Sequence, residues 1–575
     1  MRYAVTLIVV LCSAVLLAAE GPKCPAQHCC ASGVPEPQPV KSAVEISAVY
    51  YPGTDRMAEW DMVEQTMPHI KPLLGWYDEG HPEVIDWQIK WAVEHGISSF
   101  CVDWYWCRGV QRLNHWVAGY YKARHRRYLK WYMNWCNHND RGAHSTADQI
   151  AVTRWWIDHF FKTPEYYKDE TGRPLVVVWA WRNLDRDFID EAAARGEKME
   201  EGDGLKYALD ISTRLAREAG LPGIRFAIFS NGGRPAEKEQ LLRKAGIEEF
   251  FQYNFANPGV VRGGLPPARQ ATFPANRHPF NYTYDYVRDA SPGWWAKNWK
   301  PGAIPYWPTL GTGWNSTPRD FEIASKITKR TVEDFAAMCR SARTFCEANG
   351  VKRVMVGPLN EWQEGSYIEP NAEYGFGMYD ALRDAFCEKP AGGWPKNLLP
   401  SDVGLGPYEY PPLDRPARTS WDFDDGGNLQ GWYRNPYGAQ TIWAHDGVLE
   451  FFRTFAGRSR AAIRSRPTPF AADQFSALEV RMRLCAEAGN GQKPKGNEQA
   501  RIIWGTPELA IFDKANVIQT RSSAAVPTKI DGEWHVYRIP VAENPLWKGM
   551  VNELWFDPSD LQYVTAQIDW MRFVK

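Results

Sequence analysis

A (β/α)8 TIM barrel followed by an antiparallel β-sandwich is the fold class this sequence predicts, on three observations. Between residues 43 and 392, apolar strand-like runs alternate with amphipathic helical segments in about eight units, the number a closed parallel barrel needs. Several runs, RPLVVVWAW (173–181) above all, are almost continuously apolar, as strands buried on both faces are. Residues 393–417 then turn to Pro- and Gly-rich loop, the composition of a domain boundary, and beyond it short alternating strands recur between turn residues. The chain divides into a barrel at 43–392, a linker at 393–417 and a sandwich at 418–575.

Taken in order, VEISAVYYPG is a strand ending at Tyr50 and Tyr51. DWQIKWAVEHG (86–96) spaces Trp87, Ile89, Ala92 and Val93 along one helix and stops at glycine. GISSFCVDWYW (96–106) is a strand whose end carries Asp103 and Trp104. YLKWYMNWCNHND (128–140) ends in Asn134, Trp135, Asn137 and His138. A helix over 148–163 leads to the strand at 173–181, which ends at Trp181. There follow a helix over 204–219, the strand IRFAIFSNG (224–232) with Asn231, a helix over 236–245, and the strand IEEFFQYNF (247–255) with Tyr253. An irregular insert rich in Pro, Asn and aromatics fills 257–302. AIPYWPTLGTGWN brings Trp314, a helix covers 330–349, the strand at Val354 opens into VMVGPLNEWQEGSYIEP, and the last helix lies near 377–387. The sandwich strands are TSWDFDD, GVLEFF, ALEVRMRL, ARIIWG, EWHVYRIPV, NELWFDPS and AQIDWMRFVK. DFDDGG (422–427) lacks the spacing and terminal Glu of an EF-hand loop and reads as a turn with solvated acids.

A formal net charge of −1 speaks against a nucleic-acid partner, which calls for a basic face. With 28 Trp, 26 Tyr and 25 Phe, 14% of residues are aromatic. Flat apolar rings with a polar edge suit the C–H faces of sugars, although large cores also hold such rings. Residues 1–19 place one Arg before an apolar run ending in small residues, the pattern of a signal peptide, and the run is short for a spanning helix. Residues 20–42 form a Pro-rich leader. The expectation is a secreted or periplasmic protein with no membrane partner once the signal is removed. Of 11 cysteines, Cys12 leaves with the signal. Cys24, Cys29 and Cys30 could form a local staple in an oxidising compartment, with the pairing open; Cys101, Cys107 and Cys136 read as core thiols. No CxxC or HExxH spacing marks a metal site, and no cofactor is expected.

The chemistry concentrates at residues 354–370. Apolar β-formers end at Gly357-Pro358, and Glu361 and Glu364 follow with Trp362 between them. The C-terminal end of a barrel strand is where such barrels carry their active residues. Glycoside cleavage needs one protonated and one ionised carboxyl group held apart in pKa by environment, and Trp362 with its aromatic neighbours would favour the protonated form of Glu364. An extended loop would hold the pair about 10 Å apart, nearer the inverting geometry, and a turn would bring them closer. Tyr51, Asp103, Trp104, Trp135, Asn137, Trp181, Tyr253, Trp314 and Trp362 are expected to line the substrate, chiefly from strand-end placement. Asn231 joins them on the same ground, and Glu369 reads as structural.

The AVYYPG strand, the DWQIKWAVEHGISSFCVDWYW unit, WCNHND, YYKDETGRPLVVVW, PTLGTGWNSTPR and NEWQEGSYIEP followed by YG together resemble the WbsX-like proteins. Those are relatives of glycoside hydrolase family 99, the endo-α-mannosidases and endomannanases. The resemblance spans most of 45–385 and implies a (β/α)8 fold acting on α-mannosides with retention of configuration. Through the EWxE pattern it implies Glu361 as the base that deprotonates the sugar 2-hydroxyl, which then attacks the anomeric carbon. It implies Glu364 as the acid that protonates the leaving oxygen and then activates water. The match is to the WbsX-like branch more than to the mannosidases, which leaves the sugar open. The WDF…GW start and IDWMRF end of the second domain resemble sandwich modules appended to secreted glycosidases, and glycan binding is the expectation there.

The reading is therefore an exported glycoside hydrolase, endo-acting on a polysaccharide or oligosaccharide. One alternative is a glycosyltransferase of polysaccharide biosynthesis, a label several WbsX-like proteins carry. Against it stand the export signal and the lack of a phosphate-binding Gly-rich loop. The other is a non-catalytic glycan-binding barrel, against which stands the retained glutamate pair.

Overall fold

Eight parallel strands build the first domain: β1 (Glu45–Tyr50), β2 (Ser99–Cys107), β3 (Lys130–Trp135), β4 (Leu175–Val178), β5 (Arg225–Phe229), β6 (Ile247–Phe251), β7 (Thr309–Leu310) and β8 (Arg353–Pro358). The computed structural model describes residues 33–575 except 54–59, 61, 62, 65, 108, 140, 231–235, 255–280, 321–325, 410–417, 427, 428, 435–438, 454–461, 466, 487–497, 510, 512–519, 562 and 563. The segment 1–19, most of the leader, Cys24, Cys29, Cys30 and Asn231 lie outside the described residues. Hydrogen bonding runs in the order β6-β5-β4-β3-β2-β1-β8-β7. The two edges meet where Phe250 of β6 donates to the Pro305 carbonyl (3.0 Å) and accepts from the Trp307 amide (3.1 Å), just ahead of β7.

Helices follow the strands around the outside: α1 (Pro82–Glu94), α2 (Asn114–Lys122), α3 (Thr146–Trp156), α4 (Trp181–Ala194), α5 (Asp203–Glu218), α6 (Glu239–Ala245), α7 (Tyr284–Asn298), α8 (Val332–Asn349) and α9 (Gly377–Phe386). Three begin with side-chain caps that satisfy an otherwise orphaned amide: His81 Nδ1 accepts from the Glu83 N–H at 3.2 Å, Ser145 from the Asp148 N–H at 3.2 Å and Thr331 from the Asp334 N–H at 3.1 Å. Helix α4 has no such signal, since Ala180 precedes it; the stretch that ends the predicted strand at Trp181 is instead the first turn of a helix. The expected irregular insert holds α7 within its described part, and 255–280 lies outside.

Period-two alternation along each strand sorts side chains into two sets. Ser47 and Ser99 face each other inside the barrel, Oγ to Oγ at 2.6 Å. At the N-terminal mouth, Glu249 draws Arg225 (3.1 Å), Arg353 (3.2 Å) and the Trp307 indole N–H (2.9 Å) into one buried network. Ionic plugging of that mouth leaves the opposite, C-terminal end for chemistry. The linker is not a free tether over its first part. Trp91 of α1 donates to the Leu398 carbonyl (2.9 Å), Trp87 donates to the Tyr408 hydroxyl (3.0 Å), and Lys71 pairs with Glu409 (2.6 Å).

The second domain has two antiparallel sheets. The larger runs Ala439–His445, Val448–Arg453, Val564–Val574, Ala477–Ala486, His535–Ile539, with Ser420–Trp421 beside Val564–Val574; the smaller runs Trp432–Arg434, Ile463–Ser465, Glu553–Asp557, Gln499–Gly505, Ser523–Pro527. Trp421, Trp432, Trp504 and Trp547 are buried together in its core. Among the described residues no helix is long and apolar enough to cross a membrane.

Candidate active site

Beyond β8 the chain makes a miniature hairpin. Asn360–Glu361 pairs antiparallel with Ser366–Tyr367, and a 3-10 turn, Trp362–Glu364, joins them. Gly365 closes the turn at φ +60, and a Cβ there would lie 2.6 Å from Asn315 Cβ and 2.7 Å from its backbone N. Glycine is required on both counts. The Asn315 amide donates to the Glu364 carbonyl at 2.6 Å, so the loop after β7 grips the turn. Arg330 clamps the far side: its guanidinium lies 4.1 Å from the centre of the Tyr367 ring and donates to the Tyr367 carbonyl at 3.0 Å. Asn254 fastens the loop after β6, donating to the Gly313 carbonyl (2.9 Å) and the Ser366 hydroxyl (3.0 Å). Asn360 reaches the end of β1, accepting from the Tyr51 N–H at 2.9 Å and donating to its carbonyl at 3.1 Å.

Glu361 and Glu364, both buried, thus occupy a turn fixed from the loops after β1, β6 and β7. Burial pushes the Glu364 carboxyl up to about 8, and the charge of Asp103 adds to the effect. Asp103 projects inward from β2, where its carboxylate accepts from Asn134 Nδ2 (2.7 Å) and the Tyr253 hydroxyl (3.0 Å). Burial raises it to about 7 against the opposing pull of those hydrogen bonds. Tyr253 ties the group together. Burial, followed by the charges of Asp103, Glu361 and Glu364, holds its phenol well above the ordinary range. Three carboxyl groups and a phenol therefore share one poorly solvated space, where unequal proton affinities suit acid–base work.

Half-buried aromatic residues and the exposed His138 ring this space. Trp179 packs edge-on against Tyr253, 4.8 Å between ring centres, and His138 lies 5.7 Å from Trp179 and 5.4 Å from Tyr105. Tyr51 and Trp314 stand on the loops that bond to Asn360 and carry Asn315. Among the described residues no group of His, Cys, Asp and Glu is placed to hold a metal ion.

A family model described as "Glycosyltransferase WbsX" matches residues 57–185 and 198–382, more than half of the chain. The chain belongs to the WbsX family. A protein described as "Uncharacterized protein WxcX" from Xanthomonas campestris pv. campestris (strain B100) is 24% identical over 356 residues, 58% of this chain and 46% of that protein. The chain thus spans about half the length of the curated relatives it matches. Among solved structures, the GH99 endo-alpha-mannosidase from Bacteroides thetaiotaomicron with BIS-TRIS-propane is 17% identical, at a TM-score of 0.37, covering 59% of this chain and 95% of that one. A "Glycoside hydrolase-like protein" is 13% identical at a TM-score of 0.41, covering 62% and 98%.

In this WbsX-family barrel the structure gathers Tyr253, Asp103, Glu361 and Glu364 at the C-terminal mouth. Tyr51 and Trp314 stand on the surrounding loops, whereas Trp104, Trp135, Trp181 and Trp362 are buried in packing. Trp104 and Trp135 alternate with Asp103 and Asn134, so they point outward into the helix layer. Trp104 meets Phe160 edge-on at 5.4 Å and Trp135 meets Trp156 at 5.0 Å, both fully buried. Trp362 is fully buried as well, stacked on Tyr367 at 4.8 Å, and anchors the hairpin. Trp181 is buried in the first turn of α4, with the Arg182 guanidinium over its ring. Asn137 turns its amide to the backbone, accepting from the Ala180 N–H (2.7 Å) and donating to its carbonyl (3.2 Å). Glu369 is fully buried between the Tyr77 hydroxyl (2.7 Å) and Gln88 (3.3 Å). Sequence reasoning passed over Tyr105 and Trp179 as site residues. Tyr105 could have been found, since it lies two residues from Asp103 and so on the same face of β2.

Proposed function

We propose that the barrel is a glycoside hydrolase that cuts within a polysaccharide, with Glu364 as acid and Glu361 as base. The observation that carries the reading is the state of Glu364. A carboxyl group pushed up to about 8 retains its proton at neutral pH, three residues from a second glutamate in the same hairpin. A protonated carboxylic acid can deliver that proton to a departing glycosidic oxygen, which an ionised one cannot. A 3-10 turn advances only about 2 Å per residue and brings i and i+3 to one side, so the pair is closer than on an extended loop. That geometry favours retention.

In this reading Glu361 takes the proton of the sugar 2-hydroxyl as that oxygen bonds to the anomeric carbon, while Glu364 protonates the leaving oxygen. Water then opens the strained ring, giving a proton to Glu364 as Glu361 returns its own to the 2-oxygen. Both carboxyl groups end as they began. The half-buried rings of Tyr51, Tyr105, Trp179 and Trp314 would flank the chain. The apolar stretch within 1–19 supports a site of action outside the cytoplasm.

The test is release of reducing ends from α-mannans and other plant, algal and bacterial polysaccharides. Wild type should release them, and Glu364→Gln and Glu361→Gln should each fall by about 10²- to 10⁴-fold, the worth of a positioned acid or base. Equal release by wild type and Glu364→Gln would overturn the assignment. The description of the matched family favours a second reading, transfer to a sugar hydroxyl. It predicts consumption of a nucleotide sugar in the presence of an acceptor glycan, with no reducing ends formed.

A further inference from the structure

The tryptophans of the second domain differ in placement. Trp421, Trp432, Trp504 and Trp547 fill the core, whereas Trp443 stands on the outer face of the larger sheet, 41% exposed. Trp443 pairs directly across the ladder with Glu450, Glu450 with Gln567, and Gln567 with Arg483. The four residues therefore form one straight row over four strands. Strand spacing of about 4.8 Å makes that row roughly 14 Å long, several sugar units of an extended chain. Its polar members are already oriented by one another: Gln567 donates to Glu450 and accepts from Arg483. At the far end the Arg483 guanidinium lies 5.0 Å from the centre of the Trp534 ring. At the near end His445 stacks on Trp443 at 5.5 Å.

We propose that this outer face binds an extended, uncharged polysaccharide, with Trp443 and Trp534 as ring platforms at the two ends and the Glu450–Gln567–Arg483 row as the hydrogen-bonding floor between them. Cross-strand polar ladders also occur on plain solvated sheets. Here, however, Trp443 is the one tryptophan so exposed among the described residues, and it stands in line with the ladder. A ring with an apolar face and a polar edge beside fixed planar amide, carboxylate and guanidinium groups matches the alternation of C–H faces and hydroxyls along a glycan. The arginines of the face are held in ion pairs, Arg481 with Asp569 and both Arg538 and Arg572 with Glu479, which leaves them less free for an acidic ligand and suits a neutral one. The proposal does not depend on what the barrel does.

The experiment is electrophoresis of the full chain carrying Glu364→Gln through native gels containing α-mannan, xylan, β-glucan or, as the charged probe, alginate. The expected result is retardation by at least one neutral polysaccharide, little changed by salt. Trp443→Ala and Trp534→Ala should each weaken it by roughly tenfold or more, equivalent to about 1.4 kcal/mol, and Trp443→Phe should restore part of the loss. An unchanged thermal midpoint in Trp443→Ala would show that the ring, not the fold, was removed. Retardation by no neutral polysaccharide would overturn the proposal, as would retardation that both alanine variants retain. Retardation by alginate alone, abolished by salt, would overturn it too. Failure of the hydrolase reading would appear separately, in the reducing-end assay.

Discussion

At Asp103, burial and hydrogen bonding pull in opposite directions. Burial raises its carboxyl, the donors Asn134 and Tyr253 lower it, and the balance falls at about 7. The resulting charge is the second cause, after burial, of the high proton affinity of Glu364. Asp103→Asn keeps the volume and removes the charge, so Glu364 should lose its proton at a lower pH. For a reaction that needs Glu364 protonated, the basic limb of kcat/KM is expected near pH 8 in the wild type and should move toward acid in the variant. A pH–rate profile checks this, and a fall in rate with the limb unmoved would make Asp103 merely structural. Asp103 was legible in the sequence as a carboxylate in an apolar strand end. Its neighbours Trp104 and Trp135 were misplaced for a physical reason: in a strand buried on both sides, hydrophobicity marks no face, and only the register with Asn134 shows which residues look inward.

The hairpin that carries Glu361 and Glu364 is an element whose geometry rests on a backbone the sequence only hints at. EWQEG announces two glutamates and a glycine, but not that Gly365 sits at φ +60 against Asn315, nor that Arg330 and Asn254 fix it from distant loops. Those contacts join residues far apart in the chain and have no local signature. Gly365→Ala should cost more than the roughly 1–2 kcal/mol of left-handed backbone alone, because its Cβ collides with Asn315. It should also displace Glu364 and reduce kcat. Gly350→Ala is the control: φ there is +64 with nothing within 4 Å of an added Cβ, so it should lower the melting temperature and leave kcat intact. Equal kcat losses in both would count against the clash. Helix α4 shows the same limit at element scale. Leu184, Phe188 and Ala192 carry helical spacing and are buried, yet the charges between them and the absence of a polar cap hide the start at Trp181.

Across the whole molecule, the (β/α)8 count and the change to antiparallel strands after the linker were readable because both rest on local periodicity. The protonation state of the interior was not, because it depends on which acids the fold leaves without water. Glu369 and Glu364 are pushed up to about 8 and Asp103 to about 7, against ordinary values of about 4 in an unfolded chain. Each group is protonated in both states below about pH 4. As pH rises from there toward 8, the unfolded chain releases protons that the native state keeps, so the stability each contributes is progressively lost, at about 1.4 kcal/mol per pH unit per retained proton. The depressed carboxylate of Asp187, held near 2 by its surroundings despite burial, through hydrogen bonds with His144 and Arg186, acts in the opposite sense. Its stabilisation is present above about pH 4 and lost as pH falls toward 2. The two windows barely overlap, which places the stability maximum at mildly acidic pH. Thermal unfolding should accordingly give a higher midpoint near pH 5 than near pH 8. Glu369→Gln cannot ionise, and the Glu369 charge is not among the influences on Glu364 or Asp103, so it should flatten that decline by about one proton while leaving the pH–rate profile unchanged. A midpoint that rises from pH 5 to 8, or a variant with the wild-type slope, would mean that Glu369 is ionised in the native protein and that water or a cation reaches it.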